Sequence, residues 1–184
     1  MTKTKVAVVQ AAPMAFNLAE TLQRVGSWTA QAAKTGARLV LFPEAFVGGY
    51  PRGLTFETSI GHRGDTGRDW FARYWAGAID VPGPAVDALA ACAQAGGVWL
   101  VIGVIERAGG TLHCSVLFFA PDGTLQARHR KLMPTGAERL IWGQGDGSTM
   151  PVLDTPIGRL GAAICWENYM PFYRMYLYSK NLQI

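Results

Sequence analysis

A layered α/β fold is predicted, and three observations predict it. Short apolar runs at residues 5–10, 38–42 and 98–105 have the length and branching of buried strands. Between them lie stretches with helical spacing, such as Leu18, Leu22, Val25 and Trp28. Glycine, proline and asparagine punctuate the joins, so strand and helix alternate within one core.

Residues 5–10 form the first strand and Ala11-Ala12-Pro13 closes it. Asn17 then stands where an N-cap belongs, with Glu20 three residues on, a variant of the capping box. Gly36 ends that helix, and the second strand, 38–42, stops at Pro43. Residues 47–80 form a long excursion rich in glycine, aromatics and arginine, read as a lid, a pocket wall or a surface insertion. Within it, 69–78 is an expected aromatic helix carrying Trp70, Phe71, Tyr74 and Trp75.

A helix over 84–95 stops at Gly96-Gly97. The strand 98–105 then pairs with 111–120 through a glycine turn, and 125–131 continues the meander after Pro121-Asp122-Gly123. Residues 152–154 and 159–165 make a further hairpin-like pair, 170–180 a last helix, and 182–184 the opening of another strand. A sheet that stops there is short of a neighbour, so the chain reads as one domain over 1–184, truncated at its C-terminus.

Composition bounds the function. With 184 residues and 49% hydrophobic content, the chain can bury one sizeable core. A net charge of +4 from scattered basic residues argues against a nucleic-acid surface. No apolar run is long enough to span a membrane, and residues 1–5 lead straight into a strand with no signal-peptide core. Three widely spaced cysteines give neither a disulfide framework nor a zinc pattern. Reduced cysteines and a missing signal point to the cytoplasm. Cys92, in the alanine-rich helix, and Cys114, in a strand, read as small apolar fillers.

Cys165, taken alone, reads as a structural cysteine closing a core strand, but its place in the chain allows a second reading. It ends the run 159–165 just before a polar turn and a helix start, where a thiol would be exposed on an elbow and its pKa lowered by the helix dipole. Glu44 follows the strand 38–42, Lys131 ends the run 125–131, and Glu138 lies in the loop after it. Strand exits are where α/β folds gather their sites. Glu44 and Lys131 are also readable as an ion pair at the sheet edge. A thiol with a carboxylate base and an ammonium makes a self-consistent acyl-transfer site. A cysteine protease would want a histidine, and His62, His113 and His129 occupy no such setting. His129, two residues before Lys131, shares its face and is read as a site-wall residue.

Phe42-Pro43-Glu44-Ala45-Phe46, the run from His129 to Thr135 and Cys165-Trp166-Glu167-Asn168 resemble the three signature blocks of the nitrilase superfamily, in the same Glu, Lys, Cys order. Residues 49–53, 78–84, 103–107 and 138–148 resemble its true nitrilase branch, so the likeness spans nearly the whole chain.

The resemblance implies a four-layer αββα sandwich, of which this chain holds the first half to two-thirds, and hydrolysis of a small-molecule nitrile without cofactor or metal. Cys165 would be the nucleophile, Glu44 the general base, Lys131 the group that steadies the intermediate or acts as acid, and Glu138 a second glutamate orienting substrate and lysine. Apart from the resemblance, the geometry of an elbow would let the Trp166 backbone N–H help hold the developing anion. The family domain normally runs further and ends in an oligomer-forming tail, so a homo-oligomer is expected of the full-length form. Residues 50–53 and 79–81 favour aryl or arylacetonitriles. An amidase, a cyanide-hydrolysing member and a non-catalytic fragment are the competing readings.

Overall fold

The computed structural model describes residues 3–62 and 64–184. Strands β1 (Val6–Val8), β2 (Leu39–Leu41) and β4 (Trp99–Ala108) pair in parallel, with β3 (Ile79–Asp80) parallel to the far end of β4. Antiparallel β5 (Thr111–Phe119) and β6 (Leu125–Arg130) complete a six-stranded sheet, ordered β1-β2-β4-β5-β6. A separate hairpin joins β7 (Val152–Thr155) to β8 (Gly158–Gly161).

Helices α1 (Leu18–Lys34) and α3 (Pro84–Gly96) lie side by side over one face of the sheet. Every second residue of the strands, including Val40, Leu100, Ile102, Val104 and Leu117, buries against them. The intervening residues, Leu39, Trp99, Val101, Cys114, Val116 and Phe118, face the other way. There they meet the hairpin through Ile157 and Leu160, and α2 (Asp65–Gly77) through Tyr74. That second face is covered only in part, since Val6, Val8 and Leu41 remain exposed.

Local chemistry follows the sequence with small corrections. Asn17 caps α1, its Oδ1 accepting from the Glu20 N–H at 3.0 Å. The reciprocal half of the capping box is absent, because the Glu20 carboxylate pairs with Arg24 instead. The aromatic helix begins at Asp65, four residues earlier than the aromatics alone suggest. Tyr74 is a core residue whose OH accepts from the Trp142 indole at 3.0 Å. Trp70 packs at a tilt against Phe16, and the Arg73 guanidinium lies over both rings.

The final helix, α4, spans Pro171–Ser179. Gln183 and Ile184 beyond it take up backbone hydrogen bonds with Arg159 and Gly161 of β8, so the expected strand opening lies beside the hairpin. Among the described residues no helix is long and apolar enough to cross a membrane.

Candidate active site

Alternation along β6 sorts four consecutive polar residues. Arg128 and Arg130 lie opposite Leu117 and Ser115 in register and point to the helix-covered face, while His129 lies opposite Val116 on the other. Lys131, the first residue past the strand, is held by its N–H to the Cys114 carbonyl at 2.8 Å and keeps that second face. Its side chain is fully buried.

Glu44 arrives by a detour. After β2 the Phe42 N–H bonds Val101, residues 43–46 bulge out, and Val47 resumes the path along β4 with bonds to Gly103 and Ile105. Ala45 sits in the left-handed region at φ 53°. The bulge passes so close to β4 that a Cβ at Gly103 would lie 2.3 Å from the Pro43 carbonyl oxygen and 2.7 Å from the Glu44 Cα. Only glycine fits there.

Glu138 lies in a 3-10 turn (Gly136–Leu140), where its carboxylate turns back to accept the Thr135 N–H at 2.7 Å. The Lys131 ammonium donates to Glu44 Oε1 and Glu138 Oε2, both at 2.7 Å. Tyr50 donates its OH to the other Glu138 oxygen at 2.8 Å, and the Cys114 thiol lies 3.6 Å from Glu44 Oε1. Cys114 is thus buried as a filler would be, but it touches the candidate base.

The electrostatics follow from one cation between two anions. Burial opposes the Lys131 charge, yet its bonds to Glu138 and Glu44 prevail and hold its pKa above the ordinary lysine value. Burial likewise pushes the Glu138 carboxyl up, and Lys131, the Thr135 N–H and Tyr50 bring it below its usual range. Burial and the neighbouring Glu138 push the Tyr50 phenol up to about 12.

Cys165 opens a second 3-10 turn (Cys165–Tyr169) and occupies the left-handed region at φ 52°. The strand before it is shorter than the apolar run suggests: β8 ends at Gly161, and 162–164 lead out of the sheet, where no ladder partner continues. Cys165 and Glu44 together line an open cleft of about 420 Å³. The expected lowering of the thiol pKa does not occur. Partial withdrawal from water and then the Glu44 charge raise it, outweighing Lys131 and the Trp166 N–H.

Trp166 is exposed beside Tyr169. His129 does share the Lys131 face but is fully buried, so it walls no open cavity. Its ring lies flat on Tyr173 with centroids 5.4 Å apart, Nδ1 against the Thr149 carbonyl and Nε2 3.1 Å from both oxygens of Glu167. Glu167, Tyr50 and Cys114 are contacts that sequence reasoning did not single out. Among the described residues no three His, Cys, Asp or Glu side chains are placed to hold a metal ion.

Residues 5–184 match the carbon-nitrogen hydrolase family. The chain is 53% identical over 183 residues to nitrilase 1 of Arabidopsis thaliana, covering 100% of this chain and 53% of that protein. It is 56% identical over 177 residues to a bifunctional nitrilase/nitrile hydratase of Nicotiana tabacum, covering 96% of this chain and 51% of the relative. The fold is similar to that of a carbon-nitrogen hydrolase from Helicobacter pylori, with a TM-score of 0.71 at 22% identity, over 97% of this chain and 57% of that one. The chain thus spans about half the length of the curated relatives it matches.

Proposed function

Because the chain belongs to the carbon-nitrogen hydrolase family, we propose that it carries the catalytic residues of a nitrilase, a hydrolase converting a nitrile and two waters to a carboxylic acid and ammonia. The observation that carries this reading is one buried lysine shared by two carboxylates, one of which lines a cleft with a cysteine on a left-handed turn.

Glu44 takes the Cys165 proton as sulfur attacks the nitrile carbon, forming the C–S bond of a thioimidate while the nitrogen gains that proton. Raised above its ordinary value, the thiol stays protonated until substrate arrives, so base and nucleophile act together. Lys131, held charged, and the Trp166 N–H steady the negative charge that develops on nitrogen and then on oxygen. Water adds, the C–N bond breaks and ammonia leaves a thioester. A second water, its proton taken by Glu44, releases the acid and restores the thiol. Glu138 fixes the ammonium from the side opposite Glu44.

The substrate is an arylacetonitrile on this reading. A cavity of about 650 Å³ beside Glu138 is lined by Tyr50, Pro51, Leu54, Phe56, Leu140 and Ile141, a largely apolar wall suited to an aromatic ring. A second product, the amide, is favoured by the Nicotiana relative, whose name couples nitrilase with nitrile hydratase. It would arise if the tetrahedral intermediate expelled the thiolate in place of ammonia.

Ammonia and amide release from phenylacetonitrile, an aliphatic nitrile and the matching amides tests this, with Cys165→Ala as the control. Phenylacetonitrile turnover that disappears in Cys165→Ala is the expected result. Turnover of the amides alone would remove the nitrilase reading, and activity surviving Cys165→Ala would remove the thiol mechanism.

A further inference from the structure

We propose that Glu167, backed by His129, is a positioning residue that sets the distance between the lysine-bearing strand end and the cysteine elbow. Glu167 is completely buried, so it touches no substrate. Its Oε1 accepts the Leu132 N–H at 2.8 Å, and its Oε2 accepts the Ile164 N–H at 2.6 Å. Leu132 follows Lys131, and Ile164 precedes Cys165. One carboxylate therefore ties together the two backbone segments that carry the ammonium and the thiol.

Among the described residues no strand ladder joins these two segments. β6 is the edge of the six-stranded sheet, and β8 belongs to the separate hairpin. The elbow also needs restraint, since a non-glycine residue at φ 52° is strained and persists only where its surroundings fix it. His129 in turn fixes the carboxylate. Both of its ring nitrogens face acceptors, the Thr149 carbonyl and the two Glu167 oxygens, while Tyr173 closes the ring's face. The Tyr173 OH donates to the Ala162 carbonyl at 2.6 Å, bracing the same approach to the elbow. The arrangement runs from Thr149 through His129 and Glu167 to both catalytic segments.

This rests on the nitrilase reading, and its test separates the two. Glu167→Gln keeps the side chain's shape but places an amide N–H₂ against an N–H that now has no acceptor. With circular dichroism as in the wild type, kcat on phenylacetonitrile is expected to fall on the order of 100-fold, the effect of misplacing a reacting group by about 1 Å. KM should stay within about three-fold. Combining Glu167→Gln with His129→Gln should reduce kcat little further, because both act through one carboxylate.

Iodoacetamide alkylation of Cys165, followed by mass spectrometry of its peptide, needs no turnover. Glu44, Lys131 and Glu138 are the charged groups that act on this thiol. An elbow drawn away from Glu44 should alkylate with a lower pH midpoint than in the wild type. A folded Glu167→Gln chain with unchanged kcat and alkylation profile, or with only a lower Tm, overturns the proposal. If the wild type released no ammonia, the nitrilase reading would fall while the alkylation comparison still decided the role of Glu167. Should Glu167→Gln not fold, His129→Gln, which keeps the Leu132 and Ile164 bonds, decides it: a loss of about ten-fold in kcat or a shifted alkylation midpoint supports it, and neither overturns it.

Discussion

The two faces of β6 carry two buried ionic clusters with opposite character. On the helix-covered face Glu106 is saturated: Arg130 reaches both of its oxygens, Arg128 one, and Ser115 donates at 2.8 Å. Two cations and a hydroxyl converge on one anion. Those bonds hold its carboxyl below the usual range against its own burial. On the other face two anions share one cation, and the second oxygen of Glu44 takes no hydrogen bond among the described residues, its side chain 23% exposed. The first cluster is complete without a ligand. The second keeps a carboxylate oxygen free in the cleft that Cys165 also lines, as the proposed chemistry requires. Residues of similar charge, adjacent in sequence, are thus sorted by the pleat into a saturated cluster and an open one.

The sharpest way to break this contrast is to remove one charge from each side. Lys131→Met should lower turnover per folded molecule by on the order of 1000-fold, because it deletes the cation that meets the developing charge. Glu106→Gln should leave turnover per folded molecule within about two-fold while lowering stability. That loss lies toward the low end of the roughly 3–5 kcal/mol seen when a buried pair loses a partner, since both arginines are partly solvated. Urea unfolding alongside ammonia release reads both, and equal activity losses would erase the distinction.

Titration sharpens it next. Cys165 is raised above the ordinary cysteine range, so its alkylation rate should climb with pH to a correspondingly high midpoint. Glu44→Gln removes a negative neighbour and should move that midpoint down. Lys131→Met removes a positive one and should move it up. The same sign in both would show that these charges do not act on the thiol.

The smallest effect belongs to Tyr50→Phe. It deletes one 2.8 Å bond to a carboxylate that keeps Lys131 and the Thr135 N–H. A loss of about 1 kcal/mol, a several-fold drop in kcat, is expected from steady-state kinetics.

The parts of the molecule readable from sequence are those where a local pattern has one physical solution. Buried strands, glycine stops and the Asn17 cap are of that kind, and the strand exits that carry Glu44 and Lys131 follow from them. What escaped depends on approach between distant segments. Tyr50 meets Glu138 across 88 residues, and nothing near either names the other. Glu167 was hidden for a different reason. A glutamate three residues past a turn's start signals a capping box when serine or threonine leads it, but here Ile164 does, with no side-chain oxygen to complete the motif. The dipole of the turn alone predicts a lowered Cys165 pKa, whereas burial and the distant Glu44 raise it.

The glycine at 103 makes the placement of Glu44 a property of two strands at once. Grafting the Phe42–Phe46 motif onto another parallel sheet would fail unless the neighbouring strand were bared to glycine at the matching register. In a designed enzyme of this kind, the residue with no side chain would have to be specified before the acid it admits.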